Sequence, residues 1–164
     1  MSLARRILII GGIALALWGM AYGLWYAVFA EHQALDSIGG SLSSAFADAA
    51  ERHPERSDAA LGEYREAKYV YDRNVDVHGH WIGLAMLLIV LGIGIDRAVF
   101  SERVKLFLAV CAFLGAVLFP LGVLLQTFDR GSAPRGIAIV GSGLIIVALA
   151  AFALGFSRAR FTAK

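Results

Sequence analysis

Apolar residues fall into four long runs along the chain, at about 7–30, 79–96, 104–127 and 136–157, and the polar residues gather between them. A helix needs about 20 residues to cross a bilayer, and each run reaches or approaches that length. The second is the shortest, and it borrows the His78-Gly79-His80-Trp81 segment at one end and Asp96-Arg97 at the other. None of the four alternates in polarity as a barrel strand does. Backbone groups in lipid must be satisfied within their own segment, so the runs predict transmembrane helices.

The connections are unequal. Spans two and three are joined by about eight residues, as are spans three and four, but nearly fifty separate spans one and two. A structureless loop of that length is unusual, and the pattern within it is helical. Leu35, Ile38, Leu42 and Phe46 recur at three- and four-residue spacing. Gly39-Gly40 is expected to kink this arm, and His53-Pro54 to end it, because the residue before proline avoids the helical region. A second arm is expected to start with Ser57 or Asp58 as N-cap, carry Leu61, Tyr64, Lys68, Tyr71 and Val75 along one side, and run into span two. The predicted fold is an all-α integral membrane protein: a four-helix transmembrane bundle, with spans one and two extended into an extracytoplasmic helical hairpin at about 31–77.

Composition agrees. Of 164 residues, 59% are hydrophobic and 17% charged, and the mean hydropathy is +0.68. A soluble fold of this size could not hide so much apolar surface. The formal charge of +2 is near balance, which gives no reason to expect nucleic acid as a partner. The single cysteine, Cys111, excludes an internal disulfide and reads as apolar packing. The first run is longer than the roughly 7–15 residues of a cleavable signal and is expected to be retained as a span.

Orientation follows from the basic residues close to the spans. One side of the membrane carries Arg5, Arg6, Arg97, Arg103, Lys105, Arg158, Arg160 and Lys164 against only Asp96 and Glu102. That side is expected to be cytoplasmic, with both termini on it, and a bacterial inner membrane is the expected setting.

The segment from Tyr69 to Trp81 is the richest in candidate chemistry. With Glu31 and His32 at the end of span one, and Gln126 and Asp129 at the end of span three, one layer would hold His32, His78, His80, Glu31, Asp76 and Gln126. Three imidazoles with carboxylates suit copper or zinc, and two imidazoles from different helices suit a b-type haem. On a regular helix His78 and His80 point about 200° apart, so a shared ion would need a break at Gly79. The stripe Asp72, Asp76 and His80 offers a carboxylate to orient an imidazole. The competing reading is an interfacial polar cluster anchored by Trp81.

Other features read as packing. Gly19 to Gly23 and Gly79 to Gly83 have the small-xxx-small spacing that lets helices approach closely. Pro120 is expected to kink span three. Trp18 and Tyr22, one turn apart, belong to an aromatic belt or line a quinone or lipid cleft. No ionisable residue falls in mid-span, which argues against proton-coupled transport.

Two functions remain open on the sequence. The first is a non-catalytic accessory or scaffold subunit of a larger membrane complex, meeting a protein partner or itself through the hairpin and the glycine-notched helices. The alternative is a redox or metal protein with copper or a b-type haem at the outer membrane edge.

Overall fold

In a computed structural model of the chain, residues 1–159 are described; Arg160 and Lys164, counted above among the basic residues, lie outside them. The helices are α1 (Leu3–Phe29), α2 (Glu31–Ala50), α3 (Pro54–Gly94), α4 (Glu102–Leu125) and α5 (Ser132–Ala159), with a short 3-10 turn at Ile95–Arg97. Four of them, α1, α3, α4 and α5, are long and apolar enough to cross a membrane. The all-α membrane bundle expected from the hydrophobic runs is therefore the observed architecture.

The core explains the pairing. Buried residues recur on α1 as Ala4, Leu8, Gly12, Leu15, Gly19 and Tyr26. On α3 they recur as Asn74, Val77, Trp81, Ala85, Leu88 and Gly92. This alternating three- and four-residue spacing is the seam of a coiled coil. Missing side chains bring the two backbones close: a Cβ on Gly12 would lie 2.9 Å from the Ala85 carbonyl oxygen.

The second pair is α4 with α5, also built on small residues. A Cβ on Gly115 would sit 2.7 Å from the Gly141 carbonyl oxygen. α4 also lies against both α1 and α3, whereas α5 packs chiefly on α4. Pro120 is fully buried inside α4, which continues beyond it to Leu125.

Polar contacts mark the two ends of the bundle. At one, Arg5 pairs with Asp96 at 3.0 Å, and the Val99 N–H donates to the Gly155 carbonyl at 3.2 Å. The start of α1 and the end of α5 thus meet at the same end. At the other, Arg130 pairs with Glu66, and its guanidinium lies 4.1 Å from the centre of the Tyr69 ring. That contact ties the α4–α5 connection to the hairpin.

The hairpin differs from expectation in three details. α2 runs unbroken through Gly39 and Gly40, because helical hydrogen bonds need no side chain and a Cβ at either position would meet nothing. α3 begins at Pro54, which needs no N–H partner in the first turn, so neither Ser57 nor Asp58 is the cap. Ser57 instead donates to the Ala45 carbonyl at 3.0 Å and clips the two arms together. The connection is a Schellman turn: the His53 N–H reaches the Asp48 carbonyl at 2.8 Å and the Arg52 N–H the Ala49 carbonyl at 3.1 Å. Arg52 takes the left-handed conformation at φ 62°.

As expected, α3 passes from the hairpin arm into the membrane as one helix of 41 residues. Against it α2 buries Ser41 and Ala45, with Ala34 and Ile38 half-buried. The two ends of the stripe turn outward: Leu35 is exposed and Phe46 is 69% exposed, while Leu42 is half-buried.

Candidate functional site

The polar residues singled out in the sequence lie where α1 ends and α3 enters the bundle. Because α3 is regular through Gly79, His78 and His80 leave it in opposite directions. The His78 ring enters the seam with α1, and its Nδ1–H donates to the Gly19 carbonyl at 2.9 Å. A side chain at Gly23 would collide with this ring. The Gly19–Gly23 notch is therefore a cradle for an imidazole rather than for another helix backbone.

His80 donates from Nδ1 to the Asp76 carbonyl at 2.6 Å and meets the Phe119 ring of α4 edge-on, centroids 4.8 Å apart. His32 stands in solvent, its side chain 88% exposed, with Nε2 3.6 Å from Asp36. The three histidines thus occupy three separate environments.

The carboxylates are engaged elsewhere too. Glu31 accepts from the Tyr71 hydroxyl at 3.4 Å, and Asp76 lies 3.7 Å from Arg73. Asp72 accepts twice from Lys68, at 2.8 and 2.7 Å, a hydrogen bond that raises the ammonium above its usual pKa. Gln126 donates to the Gly122 carbonyl at 3.2 Å, and Asp129 accepts from the Gly131 N–H at 2.8 Å. Among the described residues, no three His, Cys, Asp or Glu side chains gather as ligands for an ion. His32, His78, His80, Glu31 and Asp76 share a depth, but the structure does not bring them together into one group. Helix phase separates what depth brings together.

No known protein family, curated protein or solved structure matches the chain.

What α1 and α3 do build is a polar and aromatic latch. The Tyr22 hydroxyl donates to Oδ1 of Asn74, whose Nδ2 donates to the Val70 carbonyl at 2.7 Å. Asn74, Val77, His78 and Trp81 present one face of α3 to Gly19, Tyr22 and Tyr26 of α1. Trp81 is packed edge-on by Trp18 and Tyr22, at 6.0 and 5.3 Å between centroids. A buried polar group costs energy unless it is hydrogen-bonded, so the Asn74 pair fixes register between the helices. Asn74 was not among the sequence candidates. Its signal was its position one turn before His78, on the same face.

Trp18, Ala21, Tyr22 and Trp25 line an open cleft of about 260 Å³ on the other flank of α1. The Tyr22 hydroxyl is committed to Asn74, so this cleft offers apolar ring faces and suits a lipid chain better than a quinone carbonyl. The second glycine pair behaves unlike the first. Gly79 and Gly83 are exposed, and a Cβ at either would meet nothing within 4 Å. The geometry as a whole joins helices. Every hydrogen bond in the latch ends on a side chain or backbone carbonyl.

Proposed function

We propose that the chain is a non-catalytic accessory or scaffold subunit of a larger membrane complex, in a bacterial inner membrane, with both termini cytoplasmic. One observation carries this reading. α2 packs on α3 through Ala34, Ile38, Ser41 and Ala45, leaving Leu35 and Phe46 outside that contact. The hairpin stands about 30 Å long, at 1.5 Å per residue over α2, and its polar residues place it in water. Leu35 and Phe46, eleven residues apart, leave α2 on the same flank, and that flank is the surface a protein partner would meet.

The open notch at Gly79 and Gly83 supports the reading, since exposed small residues in a span let another helix approach closely. The absence of ionisable residues from the middle of the spans favours a structural role over transport.

The test is site-specific photocrosslinking in native membranes. A photoreactive residue at Phe46 should give a discrete higher-mass adduct, and one at Glu63 on the other arm should give much less. Leu35→Glu combined with Phe46→Glu should abolish the adduct of a probe at Leu42 while the protein still accumulates. Equal crosslinking at both arms, or an adduct that survives the double substitution, would overturn the proposal.

A further inference from the structure

A second, open cleft of about 450 Å³ runs along the α4–α5 pair. Phe119 lines it from α4, and Ala138, Ser142, Gly143 and Ile146 line it from α5, with Arg135 nearest the start of that helix. It exists because α5 packs chiefly on α4, and because Gly143 is open, with nothing within 4 Å of where a Cβ would be. Its lining is mostly apolar, as a surface groove for a hydrocarbon chain requires.

Charge and length identify the occupant. Arg135 lies in the first turns of α5, at the hairpin-side boundary of the bundle. The neighbouring cations there are paired: Arg130 with Glu66, Arg73 with Asp76 and Lys68 with Asp72. Arg135 is exposed and has no carboxylate partner among the described residues. From Arg135 to Ile146 is eleven residues, about 16 Å along a helix. That is about half the roughly 30 Å hydrocarbon core of a bilayer, so the cleft descends from headgroup level to mid-membrane. A guanidinium at the top matches a phosphate in two-point geometry, and the channel below matches one acyl chain.

We infer that this cleft is a binding site for one anionic phospholipid, its phosphate on Arg135 and one chain lying along Ser142, Gly143 and Ile146. The phosphate replaces the missing carboxylate partner, and the chain fills the space that a larger residue at position 143 would occupy.

Native mass spectrometry of the full chain in a mild detergent tests this. The probe is an equimolar mixture of phosphatidylglycerol and phosphatidylcholine with identical chains. The protein should retain one phosphatidylglycerol in several-fold preference to phosphatidylcholine, because the choline cation offsets the phosphate charge that Arg135 attracts. Arg135→Gln should bring the ratio close to one, and Gly143→Leu should reduce retention of both lipids. A large excess of inorganic phosphate should not release the lipid, because the chain contributes to its binding. Helix content by circular dichroism accompanies each variant. If Gly143→Leu fails to fold, Arg135→Gln decides the matter, since its side chain is exposed. Equal retention of the two lipids by the unaltered protein, an unchanged preference in Arg135→Gln, or release by inorganic phosphate would overturn the inference. So would a stable dimer that excludes lipid and is lost in Gly143→Leu.

Discussion

The Nδ1–H of His78 donates to the backbone carbonyl of Gly19 at 2.9 Å, across a groove in α1 that exists because position 23 carries no side chain. Gly23→Leu is expected to expel the imidazole and destabilise the bundle by roughly 1–3 kcal/mol, the usual cost of overpacking. His78→Ala should also destabilise, through a lost hydrogen bond worth about 0.5–1.5 kcal/mol and the space left behind. The double variant is expected to be more stable than the sum of the two losses implies, since leucine then occupies the vacated cradle. Unfolding in detergent measures all three. Simple additivity would mean that the notch and the ring are not coupled.

Glycines two positions apart in α5 should behave oppositely. A Cβ on Gly141 would collide with the backbone of α4 at Phe119, while one on Gly143 would meet nothing. Gly141→Ala is therefore expected to cost roughly 1–3 kcal/mol, because backbone cannot move aside as a flexible side chain can. Gly143→Ala should stay within about 0.5 kcal/mol, as exposed substitutions do. Thermal midpoints of the two variants check this, and similar losses would show that α4 and α5 pack in a different phase.

The spans were legible in the sequence because lipid imposes a strong rule: Ile7 to Phe29 or Val104 to Leu125 cannot be left apolar in water, nor unfolded in a membrane. The hairpin was legible from spacing, but its packing face was not. Leu35 and Phe46 look like core, whereas the contact with α3 buries Ser41 and Ala45, whose small size lets the arms come close. Which of the polar residues meet was hidden for a related reason. Sequence position gives the depth of His32, His78 and His80, but only the rotation of each helix decides which way a ring points. Asn74 was passed over because one asparagine carries no pattern until its partner, Tyr22, is seen on the facing helix. His32→Ala is accordingly expected to change stability by no more than about 0.5 kcal/mol, with or without added copper or zinc.

The hairpin turn holds a removable strain. Arg52 adopts φ 62°, a conformation that costs a residue with a Cβ about 1–2 kcal/mol and costs glycine almost nothing. The Arg52 side chain is exposed and makes no ion pair among the described residues. Arg52→Gly should therefore stabilise the hairpin by up to about 1 kcal/mol. Gly39→Ala, in the middle of an exposed stretch of α2, should add a similar amount through helix propensity. Amide hydrogen exchange across residues 40–60 should slow in both. Faster exchange in Arg52→Gly would mean that the guanidinium holds the turn by a contact of its own.

The orientation of the bundle is the remaining consequence of charge. Arg5 and Asp96 meet at 3.0 Å, so the start of the chain and the Asp96–Lys105 connection lie on one side of the membrane. The basic residues near the spans on that side predict that it is cytoplasmic. In a Cys111→Ala background, a membrane-impermeant maleimide should label Glu63→Cys in intact cells and should label Ser101→Cys only after the membrane is opened. Glu63 is the better hairpin site because it is exposed, whereas the Ser57 hydroxyl is engaged with Ala45. The reverse pattern would invert the protein and place the hairpin in the cytoplasm. A reporter fused after Lys164 must agree with Ser101→Cys, because four crossings return the chain to its starting side. If the two disagreed, α4 or α5 would not span the membrane, since only those two helices lie between Ser101 and the end of the chain; a failure of α3 would instead put Ser101→Cys on the same side as Glu63→Cys.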